Sequence, residues 1–429
     1  MSTSSFNTFQ QLFALSWASN LVRECEGSAL ELQEKLAGLL NGDYLNKNVG
    51  PGWSIVWGPA VWRNESDPSK PGVPDNVWFV AKHDSLATDE DTPTPAYVVC
   101  IAGTAGGLDN YGASVEDKKV DQVVDLNSWI PNGFTGGAIP APTPASSPIF
   151  TGSTPYVAYG TSIGTHIIAS TPPATQNDHT ATTPCLSEFL KSLSLEANAR
   201  LIFTGHSLGG ALSPTLALTL DRANLLGNFT KVLVYPTAGP TPGDANFVSE
   251  FSQRFPATPI GEKPYMTWNR NIVNSLDIVP HAWCTLLKSQ LKLFDLPTLY
   301  GNSLVNGRDV FLMLSAIEVK LLQLATNAWP TFPKKNVYVP LPSSIFSAET
   351  SPFPTSEDEL WKVAVKNHVP AYFDQVYSPG YKPISGPFSS PGKYPPMALG
   401  SILHCDKDVP VNEEAATHLR EQLNADVES

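Results

Sequence analysis

A serine hydroxyl becomes a nucleophile when a neighbouring base takes its proton and fixed donors receive the charge developing on the attacked carbonyl. One stretch of this chain has residue types suited to such chemistry, namely Gly205, His206, Ser207, Leu208 and Gly209 within GHSLGGAL. Small residues two places either side of a serine permit a strained strand-to-helix turn that exposes the hydroxyl. The first amides of the helix that follows then point at the reacting carbonyl. Gly210 and Ala211 let that helix pack close to a sheet. A second G-x-S-x-G surrounds Ser162, in YGTSIG, and matches the pattern equally well.

Context separates the two serines. Leu201, Ile202 and Phe203 read as a buried strand leading into Ser207, and Leu212, Leu216 and Leu220 fall on one face of a helix beyond it. Ser162 is followed by the β-branched IGTHIIAS and then by Pro172 and Pro173, so its motif reads as a turn whose glycines supply positive φ angles. Ser207 is the candidate nucleophile, with Gly205 and Gly209 framing the elbow.

Where such an elbow carries a triad, the acid and then the histidine follow the serine in the chain. Of eight histidines, His281, His368, His404 and His418 come after the elbow. Asp277, in IVNSLDIVP, stands at a strand end that Pro280 closes. His281 is too near Asp277 in sequence to sit on a separate loop, and His418 lies on a charged amphipathic helix. His368, in KNHVPAYF, follows the expected last strand NVYVPLP and is the candidate base, with His404 in reserve. In such a triad His368 removes the Ser207 proton and later protonates the leaving alcohol, while Asp277 fixes its tautomer. The oxyanion hole needs the amide of Leu208 and a second donor from a loop after an early strand. AYVVCIAGTAGG supplies that loop, with Thr104 offering an amide and a hydroxyl.

These residues need a scaffold. Phe6, Phe9, Phe13, Trp17 and Leu21 recur at three- and four-residue steps, predicting a helix packed on the main domain. Ser28 and Glu31 form a capping-box pattern for a second helix that stops at Gly42. SIVWGPAVW, NVWFVAKH and AYVVCIAG read as strands, and from ARLIFT onward strands alternate with helices. That alternation predicts an α/β protein with a mostly parallel central sheet and helices on both faces. Residues 1–45 form an N-terminal helical extension and 46–429 a single domain. Within it, the Pro-rich stretch of about 105–159 is a candidate lid region, and about 284–335 a helical insertion with Val310, Leu314, Ile317, Leu321 and Leu324 on one face. A C-terminal helix is expected near Glu413 to Leu423.

With a net charge of −13, the chain lacks the clustered cations that nucleic acid or anionic lipid would require. Hydrophobic content of 42% with 16% charged residues suits a buried core. The five cysteines have no metal-ligand spacing and read as small buried hydrophobes, so no metal site is expected. No apolar run reaches the ~20 residues of a transmembrane helix. The N-terminal stretch lacks the basic start and continuous apolar core of a signal peptide, so a cytoplasmic location is the default expectation.

The motifs together resemble the fungal-type (class 3) lipase family of α/β hydrolases. The likeness rests on IAGT at Ile101 to Thr104, FTGHSLGGAL, VYPTAGPTPGD, NSLDIVP, and the spacing of His368 and Tyr372. It implies the α/β-hydrolase fold and hydrolysis of lipid acyl esters through an acyl-enzyme, as in triacylglycerol lipases and carboxylesterases, without cofactor or metal. It also implies a lid after the oxyanion strand and a lipid or other ester substrate taken at an interface. Ser207, Asp277 and His368 match the family's triad, and Thr104 and Leu208 its oxyanion donors. A phospholipase, galactolipase or acyltransferase would use the same triad, and a lipase-like interaction protein would keep the fold without catalysis. One departure stands at the oxyanion loop: many members carry Arg before the glycine, where this chain has Ala102.

Overall fold

Helix caps written in the sequence open the chain. In the computed structural model, which describes residues 6–64, 71–88, 92–104, 119–120, 122–175, 183–284, 286, 288–300, 314, 338–349 and 354–379, Asn7 and Ser28 cap α1 (Thr8–Ala18) and α2 (Ala29–Leu39). Each does so through a full capping box, with Gln10 and Glu31 as the reciprocal partners. Gly42 does not end α2, as the pattern suggested. The helix stops at Leu39, and Gly42 instead begins α3 (Gly42–Asn48), because the Asn41 side chain accepts the Tyr44 amide and starts a new turn.

The strands follow the apolar runs. β1 (Trp53–Trp62), β2 (Asn76–Leu86) and β3 (Thr94–Ile101) pair antiparallel in succession. After β4 (Val123–Asp125), α4 (Leu126–Trp129), β5 (Tyr156–Ala158), α5 (Tyr159–Ser170) and α6 (Leu186–Ser192), the chain enters the buried strand β6 (Arg200–His206), beside β3 and parallel to it. Then come α7 (Leu208–Arg222), β7 (Lys231–Thr237), α8 (Ala245–Arg254), β8 (Thr258–Pro259), β9 (Thr267–Trp268) and β10 (Asn271–Asn274). β11 (Ser343–Phe346), α9 (Glu357–His368) and α10 (Pro370–Val376) complete the described elements. The central sheet has seven strands in the order β1-β2-β3-β6-β7-β10-β11, parallel from β3 onward. This is the α/β-hydrolase architecture, a mostly parallel sheet with helices on both faces.

Strand alternation divides the interior into two cores. Val77, Phe79 and Ala81 of β2 and Ala96, Val98 and Cys100 of β3 face one side, packed with α1 and with Tyr372, Phe373 and Val376 of α10. Trp78, Val80, Tyr97, Val99 and Ile101 face the other, against α5, α7 and α8. α1 is enclosed: beyond the predicted stripe, Ala14, Leu15, Ser16 and Ala18 are buried too. A smaller cluster joins Ile278, Trp283, Leu293, Leu296, Leu314, Tyr338 and Leu360 beneath the loop after β10.

Two expectations are corrected. Among the described residues NVYVPLP, whose Asn336 and Val337 lie outside them, is not the last strand. Pro340 and Pro342 remove amide donors that a ladder needs, so Val339 makes a single bridge to Gly243 and the pairing passes to Ser343–Phe346. Ser162 lies not in a turn but in the first half of α5, where its buried hydroxyl donates to Ala158 O at 3.0 Å. Packing of Ile167 and Ile168 against the second core outweighs their modest helix propensity. Gly160 and Gly164 are ordinary helix residues without positive φ.

The candidate lid stretch has two parts. Residues 105–118 lie outside the described residues. Farther along, Trp129, Ile130 and Ile139 are buried in the second core, and Trp129 Nε1 donates to Pro140 O at 2.8 Å. Of the helical insertion, 301–313 and 315–337 lie outside the described residues, as do His404, His418, Cys405 and the expected C-terminal helix. Cys25, Cys100, Cys185 and Cys284 are free thiols, the last three buried. Among the described residues no helix is long and apolar enough to cross a membrane.

Candidate active site

The elbow is a product of glycine sterics. Ser207 has φ 61° and ψ −123°, a strained conformation for a residue with a Cβ. A Cβ on Gly205 would stand 2.3 Å from Gly209 O, and one on Gly209 would stand 2.4 Å from Ile101 O. At Gly210 it would meet Thr237 O at 2.5 Å. All three are backbone collisions that no rotamer change relieves, so only glycine brings α7 this close to β3 and β7. The Ser207 amide donates to Thr237 O at 3.0 Å, and the Gly210 amide to Ser207 O at 2.8 Å. Leu208 opens α7, where the first amides have no acceptor within the helix.

Asp277 follows β10 on a tight turn and is buried. Its carboxylate lies 2.8 and 3.0 Å from His368 Nδ1, accepts the Tyr372 hydroxyl at 2.8 Å, and accepts the Val279 amide at 3.0 Å. With a carboxylate opposite Nδ1, the neutral ring holds its proton there and leaves Nε2 with the lone pair of a base. Asn274 braces this corner: its Nδ2 donates to Asn367 O at 3.0 Å, and its Oδ1 accepts from Leu276 and Ala348 amides. The Tyr372 hydroxyl also accepts the Asn274 amide at 3.0 Å. Burial and the nearby Asp277 hold that phenol well above its ordinary pKa, so it remains a donor. Tyr372→Phe is expected to cost about 1–3 kcal/mol of stability, since it strands two buried polar groups. Urea denaturation of the two proteins measures it.

His206 has a structural role that its place inside the motif concealed. Its Nε2 donates to His368 O at 3.0 Å, so Nδ1 accepts the Thr237 hydroxyl at 2.8 Å. Trp17 lies against its ring at 4.6 Å between centroids. Burial first, then His368, pushes its pKa well below the usual histidine range. The sign of the consequence is fixed: below pH ~6.5 the unfolded state takes up a proton that the folded state refuses, so stability falls as pH falls. His206→Asn should therefore flatten the dependence of Tm on pH between about pH 7 and 5, as read by thermal melts.

The loop after β3 comes to the elbow. The Ala102 amide completes the ladder to Val77 O at 2.9 Å, and the Gly103 amide donates to the Asn20 side chain at 3.0 Å. A Cβ on Gly103 would stand 2.9 Å from His206 O and 3.2 Å from Ser207 Cβ, so the glycine touches the elbow directly. Thr104 follows, half-buried. The described structure thus joins Asp277 to His368 and sets Gly103 beside Ser207. His281 stays apart, its Nδ1 facing the Lys292 backbone. Among the described residues no group of three or more His, Cys, Asp or Glu side chains could hold a metal ion. Sequence reasoning passed over the roles of His206, Asn274 and the Tyr372 hydroxyl. For Tyr372 the signal was present, one helical turn beyond His368.

Residues 154–286 match the family model described as Lipase (class 3). M37 lipase is similar in structure at 22% identity, with a TM-score of 0.55 over 87% of this chain and 95% of that one. A Rhizomucor miehei lipase propeptide complex overlays at 18% identity and TM-score 0.32, covering 63% of this chain and 60% of that one. The lipase from Rhizopus microsporus var. chinensis does so at 15% identity and TM-score 0.34, covering 64% and 68%. Among curated proteins, none matches the chain by sequence.

Proposed function

We propose that this chain, which matches the class 3 lipase family model over residues 154–286 and shares its fold with M37 lipase, is a lipase of that kind and hydrolyses lipid acyl esters through a covalent intermediate on Ser207. The observation that carries the reading is the His368–Asp277 pair at 2.8 Å, linked through the His368 backbone to the histidine that precedes Ser207. His368 Nε2 takes the Ser207 proton as Oγ attacks the ester carbonyl, and the imidazolium is stabilised by Asp277. The carbonyl oxygen, now negative, is received by the amides of Leu208 and Thr104. Collapse expels the alcohol, protonated by His368, and leaves the acyl group on Ser207. Water, deprotonated by the same imidazole, then releases the fatty acid. Each proton moves between atoms already in the site, so the residues present close the cycle.

A neutral acylglycerol is the substrate class that the family points to. The test is labelling of the purified protein with a fluorophosphonate probe beside fatty-acid release from emulsified triacylglycerol, a short-chain monoester, a phospholipid and a galactolipid. Stoichiometric labelling with fastest release from the neutral esters is expected. Absence of labelling together with no turnover on any ester would overturn the proposal. Faster release from the phospholipid or galactolipid would move the substrate while leaving the chemistry in place.

A further inference from the structure

The loop after β3 is anchored at Gly103 by a different part of the chain. Asn20 lies just past the end of α1 and is buried. Its side-chain oxygen accepts the Gly103 amide at 3.0 Å, while its Nδ2 donates to Ser16 O at 3.0 Å. Held at both ends, the carboxamide can face only one way. Its backbone is fixed as well: the Asn20 amide donates to Trp17 O at 3.0 Å, and its carbonyl accepts from Arg23 at 3.1 Å. The β-ladder ends one residue earlier, at the Ala102 amide, so Asn20 extends the support of the loop to Gly103. Gly103 in turn presses on the backbone of His206 and on Ser207 Cβ, leaving little room for the loop to shift without disturbing the nucleophile.

We infer that Asn20 is a positioning residue for the oxyanion hole: it holds the Gly103–Thr104 peptide in register with Ser207. The inference rests on the assignment of Thr104 as an oxyanion donor. Its consequence is that the N-terminal helix belongs to the catalytic apparatus as well as to the core. A donor amide displaced by a fraction of an ångström loses much of its value in the transition state while substrate binding is barely altered.

The test compares Asn20→Leu, which keeps the branched shape and removes the acceptor, with Asn20→Asp, which keeps an acceptor oxygen facing Gly103 and, when protonated in this buried place, a donor toward Ser16 O. Both are assayed for kcat, KM and Tm at a temperature well below either Tm, beside Ser207→Ala. Asn20→Leu is expected to lower kcat by about 10- to 100-fold with KM within about twofold, and Asn20→Asp to recover most of that loss. A folded Asn20→Leu protein with wild-type kcat and only a lower Tm would show that Asn20 merely satisfies a buried amide. Asn20→Asp falling as far as Asn20→Leu would likewise overturn the inference. Ester turnover surviving in Ser207→Ala would instead remove Ser207 as the nucleophile, and the Asn20 inference with it.

Discussion

Replacing Ser207 with alanine is expected to abolish fluorophosphonate labelling and to lower kcat by about 10⁴- to 10⁶-fold, the loss typical of removing a triad nucleophile. The protein should remain folded, because alanine has the same Cβ and meets the same backbone strain at φ 61° that serine does. Ser207→Gly provides the complementary result. Glycine reaches positive φ without steric cost, so this variant should be equally inactive yet more stable by about 1 kcal/mol or more. Activity assays and thermal melts on the two variants separate chemistry from strain. A melting temperature unchanged between them would mean that the elbow stores no strain at Ser207. Labelling that persisted in Ser207→Ala would place the nucleophile elsewhere.

The second large effect falls on Asp277. Asp277→Asn preserves shape and removes charge, and its expected cost is about 10⁴-fold in kcat with KM little changed. The Val279 amide needs an acceptor at Oδ1, so the new carboxamide places its NH2 at the Oδ2 position. That group donates toward His368 Nδ1 and drives the imidazole proton to Nε2, where it blocks transfer from Ser207. Kinetics over a pH series measures the effect, and activity should not be restored at any pH. Asp277→Ala would cost stability as well, because the Tyr372 hydroxyl and the Val279 amide would lose their acceptor in a buried place.

The readable parts of this chain were those where one residue type alone satisfies a local demand. The glycines around Ser207 are required by backbone contacts under 3 Å, so the motif announced the turn. The cap at Ser28 was legible for the same reason, since a side-chain acceptor three residues before an amide has few other uses. Asp277 and His368 could be named because chain order and strand ends leave few alternatives. Ser162 was misread because β-branched residues were weighed by intrinsic propensity, whereas burial of Ile167 and Ile168 decides the helix. Asn20 could not have been found from the sequence. Its partner, Gly103, is 83 positions away, and an asparagine after a helix is most simply a cap.

The enclosure of α1 also governs when the protein can become whole. Gln10 donates through its side chain to Val376 O, and its own carbonyl accepts the Tyr377 hydroxyl, contacts spanning 366 and 367 positions. Phe6 packs on the ring of Tyr377 at 4.9 Å. A ribosome releases α1 long before the segment bearing His368 and Tyr372, so the helix cannot be sealed until that segment has been made. Closure over such distances is slow, and the apolar faces that wait for it are exposed in the meantime. Helix α1 is therefore completed late, and His368 arrives on the same segment that closes over it.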